Sequence, residues 1–301
     1  MSQWTAENMI PMDGQIVIVT GGNSGIGYVA CKLLLKSGAK TYVMSRDSQK
    51  SQEAIKRMKE ETGKESVELI PIDLSDLHSV RKAAKIFLSK ESKLDVLMNN
   101  AGIMMTPTKE LTKDGYDLQF GVNVLAHFHL TNLLLPALLA APAPRVVNVS
   151  SDAHRWAFWG GIDWSTLKGS KKGRSISLFD NISSIRLYGQ SKLGNIYHTN
   201  ELARRYGERG LVAISVHPGL IASDLSRNLG FLSRQFMNLT GYPPTTGALT
   251  QVYAANSPEA QKLSGKFLVP VARVGNPYAI AKNEEYAKQM WEWCENELKA
   301  F

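Results

Sequence analysis

Along the first two thirds of the chain, short apolar runs rich in β-branched residues alternate with longer segments of helical period. The runs are Gln15 to Thr20, Thr41 to Met44, Val67 to Pro71, Leu94 to Met98, Arg145 to Val149 and Val212 to Val216, with a seventh at Lys266 to Val269. Between the early ones lie Ile26 to Lys36, Gln49 to Glu61 and Leu77 to Lys90, whose apolar residues fall three and four apart, the mark of a one-faced helix. The short runs are near-continuous rather than alternating, so both of their faces are expected to be buried. That predicts a doubly wound α/β fold, a mostly parallel seven-stranded sheet with helices on both faces. No Ser/Gly-rich or Pro-rich linker breaks the alternation, and one domain spanning 1–301 is expected. Two stretches lack either period, Ser151 to Asn181 and His217 to Pro244, and loops of that length are usually functional or disordered.

Composition narrows the function classes. With 44% hydrophobic and 21% charged residues the chain is neither disordered nor fibrous. Its two cysteines, Cys31 and Cys294, are too few for a disulfide framework or a zinc site, so no metal is expected and a reducing, cytoplasmic location fits. The net charge of +8 is spread along the chain apart from Lys168, Lys171, Lys172 and Arg174, without interleaved aromatics, and no nucleic-acid partner is expected. The N-terminal residues lack a basic, then apolar, leader pattern and the final ones match no retention tag. Val122 to Ala143 is apolar over about one bilayer thickness but holds Asn123, His127, His129, Thr131, Asn132 and Pro136. It is expected as a buried or subunit-contact helix, not a transmembrane span; homodimer formation and peripheral membrane contact stay open.

Three segments carry candidate chemistry. The first strand runs into Thr20-Gly21-Gly22-Asn23-Ser24-Gly25-Ile26-Gly27 and then a helix. Glycines there let backbone approach an anion closely, and the helix start offers free N–H groups and its positive dipole end, the makings of a diphosphate cradle; the alternative is a bare left-handed turn. The second strand ends at Ser45-Arg46, where dinucleotide folds meet the adenosine ribose. A guanidinium in that place complements a 2′-phosphate, which favours NADP(H) over NAD(H), although Asp47 is adjacent; the alternative is that Arg46 merely points into water. Farther on, Tyr188-Gly189-Gln190-Ser191-Lys192 lies in a helical pattern from Ser184 through Arg205, so phenol and ammonium share a face. A cation held close is expected to lower the tyrosine's pKa and let the pair move a proton, though most such pairs are ordinary surface neighbours.

In combination, the cradle, Asp73-Leu74 after the third strand, Asn99-Asn100-Ala101-Gly102 after the fourth, Val149-Ser150-Ser151 after the fifth, Tyr188 with Lys192, and His217-Pro218-Gly219 resemble the short-chain dehydrogenase/reductase family over about residues 13 to 270. Within it the chain looks most like the retinol dehydrogenase-like and WW-domain oxidoreductase-like branch, through Ser45-Arg46-Asp47, Val149-Ser150-Ser151-Asp152-Ala153-His154 and Ser215-Val216-His217-Pro218-Gly219. The resemblance implies a Rossmann-type fold and a catalytic tetrad of Asn123, Ser151, Tyr188 and Lys192. Tyr188 would give or take the proton, Lys192 would tune it and hold the nicotinamide ribose, Ser151 would polarise the carbonyl, and Asn123 would anchor a water. Ser150 and Ser151 are adjacent, and the family's spacing selects the second.

For the cofactor, the resemblance places Gly21, Asn23, Ser24, Gly25, Ile26 and Gly27 at the diphosphate and Arg46 at the 2′-phosphate. Asp73 and Leu74 would meet the adenine, Asn100 its ribose, and Ile221 with Ser223 the carboxamide, Tyr188 and Lys192 completing the set. The implied activity is NADP(H)-dependent interconversion of a carbonyl and its alcohol, with reduction the favoured direction; the rival is a non-catalytic NADP(H) sensor or scaffold. An insert at about 152–182, longer than the family's usual connection, carries Trp156, Phe158, Trp159, Trp164 and Phe179. It reads equally as a substrate-side wall or as an aromatic mini-core under a surface loop. A stretch at about 220–244 with Leu225, Leu229, Phe231, Leu232, Phe236 and Met237 resembles the family's mobile lid, and together the two imply a hydrophobic ketone, aldehyde or alcohol. Tyr286, Met290, Trp291 and Trp293, at helical spacing, are expected to pack rather than bind.

Overall fold

A computed structural model of the chain describes residues 4–158, 160–169, 180–221 and 242–301. Its strands are β1 (Ile16–Thr20), β2 (Lys40–Ser45), β3 (Val67–Pro71), β4 (Val96–Asn99), β5 (Arg145–Val149), β6 (Val212–Val216), β7 (Phe267–Val269) and β8 (Arg273–Val274). They form one sheet in the order β3-β2-β1-β4-β5-β6-β7-β8, parallel throughout except for the antiparallel β7–β8 pair. The eighth strand was not expected: it is two exposed residues, Arg273 and Val274, too short to show a period.

Sequence neighbours in a strand serve opposite faces. Ile18, Tyr42, Leu97, Val146 and Ala213 join one apolar layer, with α3 (Leu77–Leu88), α4 (Leu118–Leu139), α5 (Asp180–Tyr206) and α7 (Glu284–Glu297). Val17, Val19, Val43, Val96, Met98 and Val147 join the other, with α1 (Gly25–Lys36), α2 (Gln49–Thr62) and α6 (Pro244–Asn256). A strand needed by both layers has no polar side to show, hence the unbroken apolar runs.

Helix α4 is long and apolar enough to cross a membrane by length and composition, yet 72% of its apolar window is buried inside the fold. Residues Gly121–Leu125 within it form a π-helical wide turn, which places Asn123. The tail aromatics pack, as expected: Met290 and Trp291 are buried, and Trp293 meets Tyr116 and Phe120 edge-on, at 6.0 and 5.7 Å between ring centres. The sheet order reverses between β1 and β4, so the loops after these two strands flank the crevice where open α/β sheets take ligands.

Candidate active site

The cradle is built by close packing. Gly21 adopts φ +65°, and a Cβ on it would stand 3.1 Å from Ala101 Cα. On Gly27 a Cβ would meet Asn100 Nδ2 and the Gly21 carbonyl oxygen at 2.5 Å, so the first turn of α1 rests directly on both loops of the crevice. Thr20 Oγ1 accepts from the backbone N–H groups of Asn100 and Ala101, each at 2.9 Å, and Asn100 Nδ2 donates to the Thr20 carbonyl oxygen at 2.7 Å. Asn100 Oδ1 is buried without a partner. Gln251, a fully buried residue of α6 absent from the sequence reading, donates to the Ile26 carbonyl oxygen at 3.2 Å and likewise leaves Oε1 unpartnered. Gly247 of α6 lets Ile26 and Ile221 converge on the same spot.

Asn23 reaches the end of β2 by donating to Ser51 Oγ at 3.0 Å. Ser51 Oγ also receives the Ser45 hydroxyl at 3.1 Å and donates to the Arg46 carbonyl oxygen at 2.8 Å. Ser48 caps α2 by accepting from Ser51 N. Arg46 thus stands exposed beside the positive end of a helix, in a hydroxyl cluster of which the sequence reading named only Ser45. Asp47 accepts from Gln52 Nε2 at 3.0 Å. Asp73 follows β3, next to β2's end, since Ile72 N donates to the Ser45 carbonyl oxygen at 2.9 Å. Burial raises the Asp73 pKa, but bonds from Ser75 and the nearby Lys113 outweigh it and hold the carboxyl below its usual value. Its carboxylate is therefore already engaged. Leu74 packs partly buried on the core. Ser223, Trp159, Phe179, Lys171, Lys172, Arg174 and the named lid residues lie outside the described residues.

Across the crevice the four tetrad candidates come together. Ser151 caps the short helical turn after β5, and its hydroxyl lies close enough to the Tyr188 phenol, which is 4% exposed, to favour the ionised form. Ser150 is used elsewhere, donating to the Lys192 carbonyl oxygen at 2.7 Å. Lys192 Nζ lies 5.6 Å from the Tyr188 ring centre and donates to the Val149 carbonyl oxygen at 2.9 Å. A Cβ on Gly102 would stand 3.5 Å from that Nζ and 3.3 Å from Asn123 Oδ1. Asn123 is fully used: Oδ1 accepts from Ile103 N at 2.9 Å, and Nδ2 donates to the Ile103 carbonyl oxygen at 3.0 Å and to Ser191 Oγ at 2.9 Å.

One expectation is corrected. Burial pushes the Tyr188 phenol above its free value and outweighs the nearby Ser151 hydroxyl, so the net direction is the reverse of the lowering expected from the neighbouring cation. The lysine itself is lowered to about 8 by burial. Helical spacing predicted the shared face, but the dry surroundings contributed by residues distant in sequence dominate the phenol.

The residues between the pair also have work. Gly189 admits the backbone of Ala153, Trp156 and Ala157, which a Cβ would meet at 2.7 to 2.8 Å. Gln190, fully buried, accepts from Asp163 N at 3.1 Å and donates to Thr166 Oγ1 at 2.9 Å, fastening residues 160–169 of the insert to α5. Within them Ile162 and Leu167 join the same buried apolar layer as Ile18 and Leu97, while Trp164, 36% exposed, lies 6.1 Å from Trp293 and Lys168 pairs with Glu297 at 2.6 Å. Trp156 is 58% exposed and Phe158 lies under the Arg186 guanidinium at 5.7 Å.

Residues 15–178 match the family model for the short chain dehydrogenases. A short-chain dehydrogenase/reductase of Armillaria gallica is 44% identical, over 99% of this chain and 95% of its own. Human retinol dehydrogenase 11 is 37% identical, over 97% of this chain and 88% of its own. A solved structure from Mycobacterium paratuberculosis superposes with TM-score 0.75 at 33% identity, covering 98% of this chain and 97% of that one. A short-chain dehydrogenase of Shigella flexneri solved with NADP shares the fold, with TM-score 0.67 at 21% identity over 87% and 99%. Fold and site together define an oxidoreductase of the Rossmann type. The chain belongs to the short-chain dehydrogenase/reductase family, with its likeness reaching into the retinol dehydrogenase-like branch.

Proposed function

We propose that the protein interconverts a hydrophobic ketone or aldehyde with its alcohol, using NADP(H) in preference to NAD(H), with Tyr188 giving or taking the proton. The carrying observation is the convergence of the Tyr188 phenol, the Ser151 hydroxyl and the Lys192 ammonium in a buried place across the crevice from the cradle. The residues present fit a dinucleotide: glycines where a side chain would obstruct, and partnerless buried amide oxygens on Asn100 and Gln251 beside them. Arg46 beside the start of α2 supports the 2′-phosphate, and the NADP found in a structural neighbour is in keeping with it. When bound, the nicotinamide supplies or accepts the hydride.

Everything else is done by side chains. Burial keeps the phenol protonated, so Tyr188 starts as an acid aimed at a carbonyl oxygen, which suits reduction. Ser151 offers the same oxygen a second donor, lowering the cost of charge developing there. As Tyr188 releases its proton, the Lys192 ammonium, steadied by Val149, offsets the phenolate's charge. The reducing compartment is supported by two buried free thiols, Cys31 and Cys294, and a cytoplasmic location belongs to the same proposal. The test is NADPH oxidation with a panel of hydrophobic aldehydes and ketones. Turnover by the wild type and loss of about 10²-fold or more in Tyr188→Phe, with NADPH binding intact, is expected. NADPH binding without turnover on any compound would instead favour a sensor.

A further inference from the structure

His127 of α4, 2% exposed, lies four residues after Asn123 and bonds both the wide turn and the last residue of β1. Its Nδ1 lies 3.1 Å from the Asn123 backbone oxygen and its Nε2 2.9 Å from Thr20 Oγ1. A carbonyl oxygen can only accept, so Nδ1 carries the hydrogen; Nε2 must then accept, from the Thr20 hydroxyl. The alternative acceptor for that hydroxyl, the Met98 carbonyl oxygen, is farther off at 3.4 Å. Burial, aided by the Lys192 charge, lowers the imidazole's pKa to about 4, so the ring stays neutral through the physiological range.

The line of bonds continues in both directions. Thr20 Oγ1 accepts the N–H groups of Asn100 and Ala101, which joins the ends of β1 and β4. From the Asn123 side amide it passes to Ser191 Oγ, and Ser191 donates to the Tyr188 carbonyl oxygen at 2.8 Å. A directed chain thus runs from the last residue of the cradle strand through one imidazole and the wide turn to the backbone of the proton donor. We propose that His127 is a positioning residue, whose single tautomer sets the place of the Tyr188–Lys192 helix against the dinucleotide cradle. This rests on the reaction proposed above and extends it to how the two halves of the site are held in register.

A histidine that only fills the core would be replaced without consequence by a side chain of like volume; a pin would not. His127→Leu keeps bulk and loses both bonds, His127→Asn keeps only a donor in the place of Nδ1, and His127→Gln reaches only toward Thr20. Misplacing reacting groups by about 1 Å costs on the order of 10²-fold. Because a pin cut at either end no longer joins the two halves, we expect each of the three to lower kcat per NADPH-binding site by about tenfold to a hundredfold with the NADPH dissociation constant unchanged. In the NADPH-bound protein, amide hydrogen exchange over residues 186–194 should quicken in each of them. Should the leucine variant not fold, the asparagine and glutamine variants, which each keep one bond, carry the test. Wild-type kcat in any of the three, or exchange raised only around 118–130, would overturn the proposal. If the wild type turns over no compound, the reaction has failed and not the pin, which the exchange measurement still decides: quickening at 186–194 supports it and no change overturns it.

Discussion

The Lys192 ammonium keeps its charge in a buried place by one backbone bond, to Val149. Desolvation disfavours the charged form, which brings its pKa to about 8. Because the charged form is the one that offsets the phenolate, NADPH-driven reduction should be full below that value and fall as pH rises through it; Lys192→Arg should move the alkaline limb upward, whatever its effect on the maximum. A pH profile of kcat checks this, and a flat wild-type profile to pH 10 would refute it. Arg46 gives a second test, since removing the guanidinium takes away a partner of the 2′-phosphate but nothing that NADH possesses. Arg46→Ala should raise KM for NADPH about tenfold or more and leave KM for NADH nearly unchanged, in parallel assays with the two nucleotides. At this scale the sequence disclosed residue types and spacing: the shared face of Tyr188 and Lys192, the glycines, Arg46. It did not disclose solvation. The direction of the Tyr188 shift, the engagement of the Asp73 carboxylate by Ser75 and Lys113, and the Ser51 hydroxyl joining Asn23 to Arg46 all depend on chain segments that meet only after folding.

Elements were legible where their period was long. Strands β1, β3, β5 and β6 and helices α1 to α3 stand within a residue or two of expectation, since a strand buried on both faces and an amphipathic helix leave unmistakable patterns. The π-helical turn at Gly121–Leu125 was hidden, because one extra residue per turn alters no apolar pattern in a helix buried nearly all round. Residues 160–169 were equally opaque. Their one aromatic, Trp164, reads the same as wall or as core, and the contacts of Gln190 and Glu297 that fasten this part to α5 and α7 leave no trace in the local pattern. The junction between β1 and α1 makes its own prediction. A methyl on Gly27 has nowhere to go, since Asn100 Nδ2 and the Gly21 carbonyl oxygen both stand 2.5 Å from it and one of them is backbone. Gly27→Ala should therefore cost about 1–3 kcal/mol of stability by urea unfolding. Its Kd for NADPH, read by nucleotide fluorescence, should weaken more than in any variant of equal stability loss altered far from the cradle.

Over the whole molecule, α7 packs along α5 and reaches the long apolar helix α4 through its tryptophans. Trp291 is the anchor: 1% exposed, its ring lies 4.7 Å from Phe128 of α4 and 6.3 Å from Tyr206 of α5, with the Arg205 guanidinium 4.5 Å from its centre. It reaches two helices of the layer that carries the tetrad, yet none of these contacts involves Tyr188, Ser151, Lys192 or Asn123. Stability and chemistry should separate here. Truncating a buried tryptophan removes its transfer free energy and leaves a cavity, together about 3–5 kcal/mol, so Trp291→Ala should unfold at clearly lower urea than wild type. Hydrogen exchange should rise first along α7 and the facing turns of α4 and α5, while kcat per folded molecule at low temperature stays unchanged. A fall in per-molecule kcat with stability intact would mean that the C-terminal helix takes part in aligning the site, and the division between a supporting layer and a reacting edge would have to be redrawn.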